Sequence, residues 1–132
     1  MTRREEREQA FCLVFEASFN EFQNVDALLE TANEYKEIEI TGYIRKAING
    51  VTLHLKEIDE LIEANAKGWK VTRISKVSLA ILRLAIFEVM FNKNVPENVA
   101  INEAVELAKT YDTDESPPFI NGVLGAISRM DK

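Results

Sequence analysis

One cysteine, one histidine and three prolines are all that this chain of 132 residues contains of those types. The single thiol, Cys12, excludes a disulfide framework. Cys12 and His54 together cannot supply the ligands of an ordinary zinc site, so no metal and no cofactor are expected. Five glycines and few β-branched alternations leave little room for a sheet. A long hydrophobic run is also missing. The longest, Val77 to Phe91, is interrupted by Arg83 and Glu88 and falls short of the ~20 apolar residues that span a bilayer. The N-terminus carries Arg3, Arg4, Glu5, Glu6, Arg7 and Glu8 with no apolar segment behind a basic flank, which is not the pattern of a signal peptide. The expectation is a cytoplasmic protein with no membrane role, to which a free thiol is suited.

What is present supports a packed core. Hydrophobic residues make up 46% and charged residues 29%, a balance that argues against disorder. The length suits one domain, or two small bundles that share a core. The formal charge of −6 is unfavourable for a polyanion partner, but its distribution is uneven. No acidic residue occurs between Glu63 and Glu88, a stretch that holds Lys67, Lys70, Arg73, Lys76 and Arg83. Arg3, Arg4 and Arg7 form a second basic island.

Helical spacing runs through the chain. Thr2 followed three residues later by Glu5 is a capping-box pattern, and Ala10, Phe11, Val14, Ala17 and Ser18 then share a face. Asn20 to Asn24 reads as a loop, with Asn24 capping a short helix that turns Leu28, Leu29 and Ala32 inward. Ile44, Ile48, Val51, Leu55, Ile58 and Ile62 are spaced 4, 3, 4, 3, 4, which predicts one long unbroken helix capped by Thr41. Gly50 inside it marks a close crossing or a bend, and Gly68 a left-handed helix end. Trp69 is expected to plug the seam between two halves, residues 1–71 and 72–132. A second central helix follows, apolar around much of its circumference, with Ile74, Val77, Ile81, Leu84, Ala85 and Val89. Its Arg83 and Glu88 need partners, for which Glu103 and Lys109 are the expected candidates. Asn98 is expected to cap the next helix, and Ser116 with Pro117 at the first position to open the last.

No catalytic site is expected. There is no Ser-His-Asp order, no glycine loop for phosphate and no carboxylate cluster with metal spacing. Binding remains. Arginines at the opening turn of a helix, beside the positive end of its dipole, suit phosphates. Phe15, two turns beyond Arg7, and Phe119, at the start of the last helix, suit stacked bases, although by pattern alone both fit a core.

Four segments, in order, carry a resemblance: Arg7-Glu8-x-Ala10; Ile81-Leu82-Arg83-Leu84-Ala85-Ile86-Phe87-Glu88; Pro96-x-x-Val99-Ala100-Ile101-Asn102-Glu103-Ala104-Val105-Glu106-Leu107-Ala108-Lys109; and Phe119-Ile120-Asn121-Gly122-Val123-Leu124. The chain resembles the NusB family of bacterial transcription antitermination factors. That resemblance implies an all-α fold, with about seven helices in two packed bundles forming one compact unit, and a non-enzymatic function. It implies binding of single-stranded boxA RNA together with the small-subunit ribosomal protein NusE, within an antitermination complex on RNA polymerase that supports ribosomal RNA transcription. By position it implies phosphate contacts at Arg3, Arg4 and Arg7, RNA contacts at Phe15 and Phe119, and partner contacts at Ser78 and Glu115. Asn121 is assigned to the binding surface near Phe119, and Asn102 to helix packing. Glu5, Glu6 and Glu8 dilute the basic start, and Pro118 and Gly125 stand where the family often has a basic and an acidic residue. Weak RNA binding by the chain alone, and dependence on its partner, are therefore expected. A homodimer of the free protein that hides the RNA face is compatible with this reading. The alternatives are a helical protein–protein module with no RNA role, and an RNA-binding domain of the kind found in ribosomal RNA methyltransferases, for which the chain leaves no room for a cofactor domain.

Overall fold

The computed structural model of the chain describes residues 1–36 and 38–130. Among them it contains seven α-helices and no strand: α1 (Arg3–Ser18), α2 (Val25–Tyr35), α3 (Gly42–Leu53), α4 (Leu55–Asn65), α5 (Lys76–Phe91), α6 (Glu97–Tyr111) and α7 (Ser116–Ser128). A 3-10 turn, Val71–Arg73, precedes α5.

The sequence signals at the helix starts are met in two cases and shifted in three. Thr2 and Glu5 form the reciprocal capping box of α1, and Thr41 Oγ1 accepts from the Ile44 amide. The start of α5 has a cap that the sequence reading does not name, Ser75 Oγ accepting from the Ser78 amide. Asn24 occupies the position before α2 but in a left-handed conformation, with no side-chain bond to the helix. α6 begins two residues earlier than expected, so Asn98 lies inside it and Pro96 precedes it. α7 likewise begins at Ser116, preceded by Glu115, because the buried Ser116 hydroxyl is turned inward to Ser78.

The long helix is divided. His54 (φ −103°, ψ 17°) interrupts the stripe between α3 and α4. The reason lies in α5. The Gly50 backbone is so close to Phe87 that a Cβ there would stand 2.0 Å from the ring, and one turn later the His54 ring stacks on Phe91 at 3.8 Å. α3 is thus pressed against α5 at two successive turns. The bend at His54 lets Ile58 and Ile62 re-enter the core, where both are fully buried with Ile44 and Ile48.

α5 is the centre of the molecule. All twelve residues from Ser78 to Val89 are buried. Helices α1, α3, α4, α6 and α7 pack around it, and one continuous core joins Val14 and Ile48 to Leu82, Ala104 and Leu124. Both charged residues in its buried span are paired, though not with the expected residues. Arg83 holds Asp59 of α4 through two bonds of 2.9 Å, and Glu88 holds Arg7 of α1 through two more of 2.9 Å. Trp69 does not plug a seam. It is 53% exposed, on the connection that follows Gly68 (φ +91°). Asn102 is exposed on α6 and fixes no packing. The turn before α2 holds three left-handed non-glycine residues, Glu21, Phe22 and Asn24. Burial of the Phe22 ring, with the Arg83 guanidinium 5.3 Å above it, offsets that backbone cost of roughly 1–2 kcal/mol per residue.

Candidate nucleic-acid interface

The residues read from the sequence as contacts fall into separate groups. The first surrounds the start of α1. Arg3 is exposed, paired with Glu6, and its guanidinium lies 4.4 Å over the Tyr43 ring. Arg4 is exposed and forks onto Glu103 of α6 at 3.2 and 3.0 Å. Arg7 is only 5% exposed. Its guanidinium is committed to Glu88 and lies 3.5 Å from Glu103, so it is part of the wall and offers nothing to a phosphate. Burial opposes its charge, but the bonds to Glu88 outweigh that and hold its pKa above the ordinary value. The sequence carries the signal for this placement. Arg7 stands three, four and seven residues before Ala10, Phe11 and Val14, on the buried stripe of α1. The neighbouring Tyr43 hydroxyl is buried with no hydrogen-bond partner among the described residues, and burial followed by the charge of Glu88 raises its pKa.

A cavity of about 120 Å³ opens beside Arg4 and Arg7, but Glu8, Glu103 and Glu106 line it too. A polyanion at Arg4 has to displace Glu103. Tyr111 closes this side by donating to Glu8 at 2.7 Å, a bond that pushes its pKa up to about 12.

The second group is at the start of α7. Ser78, Glu115 and Phe119 line one pocket of about 290 Å³ with Trp69, Ile74 and Asp112. Glu115 is exposed at the rim, whereas Ser78 is buried at the floor. Its hydroxyl donates to Asp112 Oδ2 at 2.5 Å and meets Ser116 Oγ at 2.8 Å. Burial acts to raise the Asp112 pKa. The bonds from Ser78, the Thr113 amide, Ser116 and Ser75 together outweigh it, and the net shift is downward. A carboxylate with a lowered folded-state pKa contributes stability above its unfolded value of about 4 and loses it as pH falls through the folded value. Asp112→Asn will therefore flatten the acid limb. Thermal midpoints followed by circular dichroism from about pH 6 to about pH 3 should converge for the two chains, and parallel curves would rule out this role.

Phe15 is half-buried, edge-on to Phe19 at 5.0 Å, and Phe19 is 64% exposed with Lys76 above it. Asn121 is exposed on α7, two residues from the half-buried Phe119. Sequence reasoning missed the exposed Trp69, which faces Phe119 at 6.5 Å. It also missed Asp112 as the node joining α5 to the α6–α7 connection. Cys12 is half-buried, and burial followed by Glu16 and Glu8 raises its pKa, which suits an inert thiol. Among the described residues no cluster of His, Cys, Asp and Glu is placed to hold a metal, and no helix is long and apolar enough to cross a membrane.

Comparison with known proteins supplies the context for these groups. Residues 4–129 match the family model described as the NusB family. The chain is 43% identical over 129 residues to the transcription antitermination protein NusB of Clostridium novyi, covering 95% of this chain and 96% of that one. It is 39% identical over the whole of both chains to the protein of that name from Listeria monocytogenes. Among solved structures it resembles NusB of T. maritima, with a TM-score of 0.85, 32% identity and coverage of 98% and 92%. It also resembles a chain in a crystal structure of the antitermination factors NusB and NusE in complex with dsRNA, with a TM-score of 0.83, 28% identity and 98% of each chain covered.

Proposed function

The chain belongs to the NusB family, and on that premise we propose that it is an RNA-binding transcription antitermination factor. It binds single-stranded boxA RNA with the small-subunit ribosomal protein NusE, acts in the cytoplasm, and helps to assemble an antitermination complex on RNA polymerase that serves ribosomal RNA transcription. It works by binding and carries out no chemistry. The observation that carries this reading is the full-length similarity to a chain crystallised with NusE and RNA, combined with two exposed arginines on the first turn of α1.

The geometry refines the roles. Arg3 and Arg4 are the phosphate contacts at the capped start of α1, where the helix dipole adds to their charge. Arg7 positions that turn from behind. Phe119 and Asn121 present a second contact on α7, with Phe15 at the edge. Ser78 acts through the pocket floor, and Glu115 at its rim meets the protein partner. The pairing of Arg4 with Glu103 supports dependence on that partner, because RNA alone must break the pair to use the arginine.

Titration of boxA-like and scrambled single-stranded RNA, with and without NusE, at several salt concentrations tests the proposal. If about four phosphates are neutralised, log affinity falls with log salt at a slope of roughly −3. NusE will tighten binding to boxA more than to the scrambled strand. A flat salt response, or equal affinity for the two strands, favours a protein–protein module with no RNA role. The neutralised cavity at Arg4 gives that alternative its standing.

A further inference from the structure

We propose that the cleft between Trp69 and Phe119 is a stacking site for an unpaired RNA base. The proposal rests on the RNA-binding reading above and adds a site to it. The cleft measures about 340 Å³, toward the lower end of the range of ~300–1,000 Å³ typical of small-ligand sites. Its walls are the end of α4 with the connection that follows it, and the face of α7 that runs from Pro118 to Arg129 just past its last turn. Trp69 and the half-buried Phe119 meet edge to face, with centroids 6.5 Å apart and planes at 63°. Such a pair leaves an indole face free.

Three features point to a base as the occupant. Trp69 is 53% exposed, a large apolar area that the folded chain leaves uncovered. Gly122 floors the cleft one turn beyond Pro118, and a Cβ built there meets nothing within 4 Å, so a flat ring can lie against the backbone. The charge at the rim is of one sign. Lys67 and Arg129 line the cleft with no carboxylate among the lining residues. The cavity at Arg4 has three glutamates, and the pocket on the other side of Trp69 has Asp112 and Glu115. Lys67, Lys70, Arg73 and Arg129 are exposed and, among the described residues, make no ion pair. An apolar slot with an aromatic wall and unneutralised cations beside it is the composition that single-stranded nucleic acid selects: base on ring, phosphate on cation.

The chain has a single tryptophan, so Trp69 reports its own occupancy. Fluorescently labelled single-stranded boxA-like RNA is titrated in the presence of NusE, with binding read by anisotropy. Emission from Trp69 is read in parallel, as the difference between the wild-type mixture and the Trp69→Phe mixture. The expected result is quenching with the same midpoint as the anisotropy change. Trp69→Ala should weaken binding by roughly 5- to 150-fold, the range for loss of one stacked base, while Trp69→Phe retains most of the affinity. Gly122→Leu keeps both rings but fills the slot. It should weaken RNA binding comparably while helix content and thermal midpoint hold or rise, since leucine is the better helix former. If RNA binds but Trp69 emission is unchanged and both Trp69→Ala and Gly122→Leu bind like wild type, the cleft is off the RNA path, and the RNA-binding reading stands without it. Quenching by NusE alone, with no further change on adding RNA, makes the cleft a protein contact and overturns the proposal. No anisotropy change with wild type overturns both readings.

Discussion

Arg7→Ala will lower the stability of the chain by about 3–5 kcal/mol, the range for removing one partner of a buried ion pair. Its effect on RNA binding will follow from that loss. The guanidinium and the Glu88 carboxylate are 5% and 1% exposed and share two bonds of 2.9 Å. Alanine leaves Glu88 inside the core with no opposite charge. Glu103 adds a second carboxylate that stands 3.5 Å from Arg7 in the intact protein. The attraction between the pair is therefore not the quantity measured; the cost is that of a stranded charge. A double replacement separates the two. Arg7→Met with Glu88→Leu removes both charges and keeps the volume, and such exchanges are often neutral or stabilising. Urea midpoints should fall steeply for Arg7→Ala and recover most of the loss in the double variant. An unchanged midpoint for Arg7→Ala would show that the arginine is solvated and free. The same measurement guards the interpretation of RNA titrations, because only Arg3 and Arg4 can be removed from α1 without touching the core.

Gly50→Ala will destabilise the chain although alanine is the better helix former. Propensity alone favours the substitution by about 1 kcal/mol. Against that gain, the new Cβ would lie 2.0 Å from Phe87 Cε1 and 2.5 Å from Cζ. Phe87 is 4% exposed on α5 and has no open side to move into. Overpacking of this kind costs roughly 1–3 kcal/mol and at this distance belongs at the upper end. Phe87→Leu made together with Gly50→Ala should recover part of the loss, since the shorter side chain vacates the point of overlap. Thermal midpoints of the two single variants and the double variant give the coupling directly. Additive losses would mean that α3 and α5 separate freely at this crossing.

Much of the architecture is legible in the sequence because local and tertiary demands agree there. The capping box at Thr2, the Thr41 cap and the left-handed Gly68 appear where their residues indicate. The stripe from Ile44 to Ile62 is buried as its spacing requires, apart from the half-buried Leu55. The interruption at His54 is not legible, because it comes from Phe87 and Phe91 on another helix. The charged residues divide in the same way. That Arg83 and Glu88 must be paired follows from a helix apolar all round, but their partners are 24 and 81 residues away and nothing local names them. The burial of Arg7 is legible from the apolar stripe of its own helix, although its charge and its neighbours Arg3 and Arg4 suggest an exposed basic patch. Trp69 and Asn102 differ from expectation the other way: a large apolar ring and an asparagine set among apolar residues both point inward, and the structure puts both in solvent.

A helix surrounded by neighbours faces an orientation problem, and α5 shows how this chain meets it. Where nearly every side chain is apolar, turning the helix about its own axis exchanges one greasy surface for another at small cost. Arg83 and Glu88 are five residues apart, about 140° around the axis and about 7.5 Å along it at the usual helical pitch. One faces Asp59 on α4 and the other Arg7 on α1. Advancing the sequence by a single position swings both by about 100° and separates both pairs at once. The two ions work as an angular index. They set which residues α5 presents to α6 and α7, and through Ser78 they set where the Asp112 pocket opens.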